Sequence, residues 1–478
     1  MFEPDAEAMR PEERAQLQLQ RLRGLINRLL ALRGVQSERL RAAGVTGGAD
    51  VTLADLPRLP LTAKTDLWEG YPFGMIAVPV QDVVTVHGSS GTGGRPTLVA
   101  YTAADLALWA RMCARALVAA GAGRGSIVHN AYGYGLFTGG LGIHQGAVEL
   151  GATVVPASGG MTARQVTLIR DLRPDILTCT PSYAIRLGEA LAAAGVRPGD
   201  GLSLKAGVFG AEPWSGEMRA RIEELLGLRA LDIYGLSEVI GPGVASECLE
   251  AADGLHVNED HFLVEAIDPA TSAPVPDGTP GELVFSTVTR QALPLLRYRT
   301  GDIASLRRGP CACGRTLVKM SKVTGRRDDM LVLRGVNIYP NEVERVLLAD
   351  PALGHDYLLV LDERRDTRQL IACCEHRTAA AAHPPSALAA PPSAGQEPPP
   401  VSGDSPSGGA ARPSASGDSP GAGRLPAEHE LEARLRGELG VSVRVRVLPP
   451  GTVPRSEVGK AVRVMRWRDG TPPVAGLE

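Results

Sequence analysis

Lysine, aromatic residues and net charge are all scarce in this chain, and each shortage excludes something. Of its 478 residues only five are lysine, at positions 64, 205, 319, 322 and 460, against 50 basic residues in all. A net charge of -3 leaves no basic surplus for gripping nucleic acid or an anionic membrane. No apolar run approaches the roughly 20 residues that a membrane-spanning helix needs. The acidic start, Met1 to Glu7, lacks the basic head and apolar core of a secretory leader, so a cytoplasmic protein is expected. The seven cysteines (Cys113, Cys179, Cys248, Cys311, Cys313, Cys373, Cys374) are too scattered for a disulfide framework and suit a reducing compartment. With 44% apolar residues the chain is nevertheless long enough for a large core and a second, smaller domain.

What the chain does have is a loop of small and hydroxyl residues, His87-Gly-Ser-Ser-Gly-Thr-Gly-Gly-Arg-Pro-Thr97, directly after the apolar run Val83 to Val86. Glycines let backbone N–H groups turn toward one anion, and Ser89, Ser90 and Thr92 add hydroxyl donors, so the loop reads as a phosphate cradle. An ordinary turn has the same composition. Gly94-Arg95-Pro96 stands where a P-loop ends in Gly-Lys-Ser/Thr, which disfavours a Walker-type ATPase.

Ala15, Leu19, Leu22, Ile26 and Leu29 recur at helical spacing and predict an opening amphipathic helix. From about 80 to 235, β-rich runs (126–131, 152–156, 175–180, 206–209) alternate with helical stretches (103–120, 162–172, 215–226), the rhythm of parallel βαβ units. Ligands of such sheets sit at the carboxyl ends of the strands, where the Gly/Ser loop, Gly210 to Pro213 and Tyr234 to Glu238 are expected to fall. Past 255 the texture becomes strands and turns, then a compact tail after Gly325. The segment 377–428 is rich in Pro, Ala, Ser and Gly, repeats Ser-Gly-Asp-Ser-Pro at 402–406 and 416–420, and is expected to be disordered. Order should resume with a helix over 428–439 and a strand over 441–447.

Four further motifs narrow the chemistry. In Asp232-Ile-Tyr-Gly-Leu-Ser-Glu238 the last residue can offer a carboxylate to Mg2+ on ATP phosphates. Tyr298-Arg-Thr-Gly-Asp302 places an aspartate where both hydroxyls of a ribose could be accepted. Gly325-Arg-Arg-Asp-Asp-Met-Leu-Val-Leu-Arg-Gly-Val-Asn337 is a charged joint, and Pro454-Arg-Ser-Glu-Val-Gly-Lys460 keeps one of the rare lysines after a flexible glycine. Taken singly, each is also an ordinary solvated loop or turn.

In this order the set resembles the adenylate-forming acyl-CoA synthetase superfamily, and within it the phenylacetate-CoA ligase group. The finer likeness rests on Tyr132-Gly-Tyr-Gly-Leu-Phe-Thr-Gly-Gly140, Ser158-Gly-Gly-Met-Thr-Ala-Arg-Gln-Val166, Leu236-Ser-Glu-Val-Ile-Gly-Pro-Gly-Val244 and Gly254-Leu-His-Val-Asn-Glu-Asp260. It spans nearly the whole chain outside 377–428. The resemblance implies an α/β protein: a large N-terminal adenylation domain with parallel and mixed sheets over 1–326, and a small mobile α+β lid over 327–478. It also implies a two-step ligase that uses ATP, Mg2+ and coenzyme A to activate an aryl or arylacetic acid, phenylacetate first among them.

By the same resemblance, Ser89, Ser90, Gly91, Thr92, Gly93 and Gly94 would wrap the β and γ phosphates, and Glu238 would hold Mg2+. Asp302 would bind the ribose with help from Arg326. Gly210, Ala211, Glu212 and Pro213 with Asp232, Ile233 and Tyr234 would enclose adenine. Lys460 would stabilise the first transition state, with Asp328 as hinge. Tyr134, Phe137, Ala211, Ile240, Gly241 and Pro242 would line the acyl pocket, and in a chain this poor in aromatics a paired Tyr and Phe suit a flat slot, although core packing would also account for them. Gly93 and Arg95 depart from the family's threonine and lysine, removing one hydroxyl and enlarging the cation.

Cys248, His256, Cys311 and Cys313 together would make a Cys3His zinc site if the fold brings the two pairs together. The other cysteines read as buried thiols, and His144 and His261 as packing or hydrogen-bonding residues. No nucleic acid or membrane partner is expected, and a homodimer is left open. Two rival functions remain: adenylation that loads a carrier protein or amine, and a non-catalytic nucleotide- or acyl-binding protein.

Overall fold

The structure is a computed structural model that describes residues 1–89, 96–199, 201–327, 331–333, 336–364, 368–377, 426–455, 462–475 and 477. Ser90 to Arg95, Asp328, Lys460 and nearly all of the expected insert therefore lie outside the described residues.

The centre of the molecule is a nine-stranded mixed sheet. Five parallel strands come first, in the spatial order Thr153–Val155, Ile127–Asn130, Ile176–Cys179, Ala206–Gly210 and Arg229–Leu236. The central strands Ile176–Cys179 and Ala206–Gly210 are buried on both faces, as crossover connections through helices require, while the edge strand Thr153–Val155 is only partly covered. The expected βαβ rhythm is met: helices Ala103–Ala119, Thr162–Leu172 and Gly216–Leu226 fall where the sequence placed them. Four antiparallel strands, Gly241–Ser246, Leu255–Val257, Lys319–Met320 and Leu306–Arg307, extend the sheet beyond Arg229–Leu236.

Helix Ala103–Ala119 begins with a reciprocal cap: Asp105 N–H donates to Thr102 Oγ1 at 3.1 Å, and Thr102 N–H donates to Asp105 Oδ2 at 3.0 Å. It packs closely on helix Gly139–Leu150, because a Cβ at Gly146 would lie 2.4 Å from Cys113 Cβ. That glycine-rich helix was not foreseen, since glycine counts against helix in the sequence and here serves close approach instead. The opening helix, Pro11–Ala31, buries Leu22, Leu25, Ile26 and Leu29 against Leu40, Leu263 and Leu296.

A second, antiparallel sheet holds Phe262–Ile267, Gly281–Thr287, Tyr298–Ala304 and Gly325–Arg326. The tail builds its own layer: strands Arg444–Leu448, Gln369–His376, Leu353–Asp362 and Val464–Trp467 in that order, covered by helices Pro340–Leu348 and Pro426–Leu439. The last helix starts two residues before the expected Glu428, and the following strand starts at Arg444 instead of Val441. The tail touches the large body where Ser215 N–H donates to Glu344 Oε1 at 3.2 Å and where His355 Nδ1 lies 3.6 Å from Glu189 Oε1. Among the described residues no helix is long and apolar enough to cross a membrane.

Candidate active site

The Gly/Ser loop is anchored differently from the sequence expectation. Thr85–Ser89 and Thr97–Tyr101 pair antiparallel, with Ser89 opposite Thr97, so the loop joins the two strands of a separate hairpin and does not lie at the end of a parallel strand. Val83 and Val84 precede the strand. Side chains carry the hairpin to the sheet: Ser89 Oγ donates to Glu238 Oε1 at 2.6 Å, two residues past the end of strand Arg229–Leu236.

Glu238 is buried, and its carboxylate also meets Lys64 Nζ at 3.3 Å, while the same ammonium lies 3.3 Å from Ser89 Oγ. Sequence reasoning gave Lys64 no role, although the scarcity of lysine was a signal. The backbone around Glu238 is fixed by Arg290, which is fully buried. Its guanidinium donates to the carbonyls of Glu238 and Val239, reaches Ala100 O at 3.1 Å, and lies 4.6 Å over the Tyr101 ring. A carboxylate held this way, with an adjacent hydroxyl and ammonium, provides hard oxygen donors for a divalent cation and a positive group for phosphate.

A second polar group sits at the same end of that strand. Tyr234 O–H donates to Asp302 Oδ2 at 2.7 Å, and Arg326 Nε lies 3.6 Å from Asp302 Oδ1. Asp302 and Arg326 are also direct partners in strand register, so the expected pair is together. Burial, with Asp302 beside it, holds the Tyr234 phenol well above its usual range, so it stays a proton donor.

Gly210 and Ile233 are register partners, which brings Gly210 to Pro213 beside Asp232 to Tyr234. Ala211 takes φ +73, a left-handed conformation unusual for a residue with a Cβ. The Asp232 side chain points into the protein, where burial pushes its carboxyl up to about 7 against the pull of nearby Lys322. Lys322 Nζ lies 3.8 Å over the Trp214 ring. The Asp232 backbone is clamped by Glu247, whose Oε2 accepts its N–H at 2.8 Å and also binds Arg219 at 2.6 Å. Glu212 Oε1 accepts the Ser182 N–H at 2.7 Å.

Of the expected acyl-pocket residues, Tyr134 is held by Asn130 Nδ2 at 2.8 Å and faces His144 edge-on. Phe137 is exposed, and Ile240 is fully buried in the core. Gly88 N–H donates to Leu136 O at 2.9 Å, and Thr138 Oγ1 lies 3.2 Å from Ser237 Oγ, so the 134–138 segment is seated between the hairpin and the Glu238 turn. Beneath Gly241 lies an aromatic group that the sequence did not single out: Tyr101 stacked on Trp109 at 5.3 Å, with His87 edge-on to both. Gly241 has φ +107, and a Cβ there would lie 2.6 Å from Trp109 Cζ2. Trp109 Nε1 donates to Pro242 O at 2.9 Å.

The ligand atoms of Cys248, His256, Cys311 and Cys313 do converge, all within 4.8 Å of one another. Burial, with Arg315 and Lys319 nearby, pushes the His256 imidazole down to about 3, leaving it neutral. Cys113, Cys179, Cys373 and Cys374 are buried free thiols. His144 contacts Tyr134, and His261 bonds Asp260 and Thr289.

The contacts of Glu238 and Tyr234 tie the end of the mixed sheet to the hairpin at Ser89 and, through Asp302 and Arg326, to the second sheet, and likeness to known proteins gives the class: the chain is an adenylate-forming enzyme. The chain belongs to the AMP-binding enzyme family, whose model matches residues 38–289. It is 46% identical to a phenylacetate-coenzyme A ligase of Thermus thermophilus, over 98% of this chain and 100% of that protein. A crystal structure of 2-hydroxyisobutyryl-CoA ligase in its postadenylation state, 26% identical, superposes with a TM-score of 0.81 over 97% of this chain and 92% of that one. The same ligase in its thioesterification state, also 26% identical, superposes at 0.66 over 98% and 92%, so the arrangement seen here is nearer the first state.

Proposed function

We propose that the chain is an AMP-forming ligase that joins an aryl or arylacetic acid, phenylacetate foremost, to coenzyme A in the cytoplasm. The observation that carries this is the full-length likeness to the phenylacetate-coenzyme A ligase of Thermus thermophilus. The paired clusters at Glu238 and Asp302 support it by supplying the two ends of an ATP site.

In the first step a carboxylate oxygen attacks the α-phosphorus of ATP, a P–O bond forms, and pyrophosphate leaves with the electrons of the broken one. The thiol sulfur of coenzyme A then attacks the acyl carbon and AMP departs. Little covalent work falls to the protein; its task is charge neutralisation and alignment. Mg2+, which Glu238 would hold, supplies charge stabilisation to the phosphates. Lys64, beside Glu238 and Ser89, would offer its ammonium to the negative charge that develops on the leaving pyrophosphate, and Ser89 would add a hydroxyl at the start of the Gly/Ser loop. Asp302 accepts ribose hydroxyls with Arg326 and Tyr234 fixing its carboxylate. Gly210 to Pro213 would flank the base, and Tyr134, Phe137 and the start of strand Gly241–Ser246 would border the acid, with Ile240 packed in the core behind them.

In this reading residues 1–326 form the adenylating body and 327–478 a lid that turns about Asp328 and carries Lys460 in and out. The Cys248, His256, Cys311 and Cys313 set takes no part in the chemistry. The test is AMP release and thioester formation by purified protein given MgATP and a panel of aryl acids, with and without coenzyme A. Thioester from phenylacetate or a close relative is expected. Adenylate without thioester would indicate a carrier-protein or amine acceptor, and no AMP from any acid would leave a binding protein.

A further inference from the structure

The sulfur and imidazole cluster stands apart from the ligase reading and has a geometry of its own. Cys248 lies two residues past strand Gly241–Ser246, and His256 sits in the neighbouring strand Leu255–Val257. Cys311 and Cys313 occupy the turn that joins Leu306–Arg307 to Lys319–Met320. That turn is a tight knuckle: Gly314 N–H donates to Cys311 O at 2.9 Å, and Cys311 N–H donates to Arg315 O at 3.2 Å. Two distant pieces of chain thus present four soft ligands to one point.

The spacing of those ligands can be compared with a bound ion. A tetrahedral zinc with sulfur at about 2.3 Å and nitrogen at about 2.05 Å sets an S to S edge of about 3.8 Å and an S to N edge of about 3.5 Å. Cys248 Sγ and Cys311 Sγ are 3.8 Å apart, and Cys313 Sγ and His256 Nε2 are 3.5 Å apart. A disulfide would use only two of the sulfurs and bring them to about 2.05 Å, leaving the third cysteine and the histidine gathered for no reason. With all four atoms within 4.8 Å of one another, the space suits a single ion.

The charges also balance. Three thiolates and one neutral imidazole around Zn2+ leave one negative charge, and Lys319 and Arg315 flank the group, themselves tied to Asp253 and Glu7. We infer that Cys248, His256, Cys311 and Cys313 bind one Zn2+ in a closed, structural site. With no ligand position left open, the ion activates no water.

Its place in the fold gives it a task. Cys248 directly follows Glu247, the residue that clamps the Asp232 backbone and Arg219. The knuckle also leads into Arg315, whose Nε donates to Glu7 Oε2 at 2.6 Å and so ties down the start of the chain. The ion therefore fixes the outer edge of the nine-stranded sheet and, through Glu247, the wall beside Tyr234.

The experiment is metal analysis of full-length protein purified without chelators or immobilised-metal columns, by elemental and native mass spectrometry. One zinc per chain is expected, lost in Cys313→Ser and in His256→Asn. Cobalt exchange of the parent should give the absorption of a tetrahedral thiolate complex, and stripping zinc with a strong chelator should lower Tm, with recovery when zinc is returned. Parent protein that contains no metal and takes up neither Zn2+ nor Co2+ overturns the inference, as does a Cys248 to Cys311 disulfide or full zinc retention in Cys313→Ser. Should the variants fail to fold, uptake and spectrum of the parent still decide. Metal content is read without ligase turnover, so an active, metal-free enzyme defeats this site alone, and a zinc-loaded protein without ligase activity defeats only the function proposed above.

Discussion

Replacing Lys64 by methionine keeps the length of the side chain and removes the charge that the structure sets 3.3 Å from Glu238. At that separation, and an effective dielectric of about 20, two unit charges attract by about 5 kcal/mol. Solvent takes part of this, because the Lys64 side chain is 26% exposed against 4% for Glu238. What bears on catalysis is only the part that grows between ground and transition state. A charge-assisted contact of this kind is worth about 1.5 to 3 kcal/mol, or a ten- to hundred-fold fall in rate. The expectation is therefore that Lys64→Met lowers the adenylation half-reaction ten- to hundred-fold, measured as acid-dependent exchange of labelled pyrophosphate into ATP. Thioester formation from supplied acyl-AMP and coenzyme A should stay within about two-fold of the parent, since no pyrophosphate is then present to be stabilised. Unchanged exchange, or an equal loss in both half-reactions, would refute the role given to Lys64.

Lys460→Ala is expected to show the same division between half-reactions, and equal loss in both would remove it from the first transition state. Gly241→Ala forces a Cβ to within 2.6 Å of Trp109 and 3.0 Å of Thr138 at φ +107. It should cost about 1 to 3 kcal/mol, seen as a Tm lower by a few degrees, and an unaltered melt would show that the Tyr101 and Trp109 stack yields easily. His87 and His129 are both pushed below the usual imidazole range, chiefly by burial. Because the unfolded chain binds their protons more tightly, stability is full above about pH 6.5 and falls as the pH drops below it. Melts between pH 7.5 and 5.5 check this, and a Tm that does not change over that range would count against it.

The parallel strands and the helices between them were legible because short β-rich apolar runs alternate with longer stretches of 3.6-residue period, each bounded by turn residues. Helix Gly139–Leu150 was hidden by its glycines, which look like loop until a neighbouring helix is found lying against them. Motifs and the family resemblance singled out Glu238, Asp302 and Arg326 as candidates, and the fold sets Asp302 and Arg326 in register. Lys64 and Arg290 were not legible as site residues: they are 174 and 52 positions from Glu238, and only tertiary contact reveals them. The cysteine and histidine pairs were recognisable as candidate ligands, but their meeting depends on antiparallel strands with no local sequence signature.

The hairpin origin of the Gly/Ser loop reaches beyond this one enzyme. A P-loop is welded to a helix and borrows that helix's positive end, so its length and shape are tied to the packing of the whole domain. Here the loop hangs from two short strands outside the main sheet, joined to it by contacts such as the Ser89 to Glu238 bond. Exchange of residues between the two strand ends, Ser89 and Thr97, is not tied to the packing of the strands that carry Tyr234 and Asp302. The root of the hairpin is less free: Gly88 is bonded to Leu136 and His87 packs edge-on to Tyr101 and Trp109, so a change there is felt in the 134–138 segment and beneath Gly241.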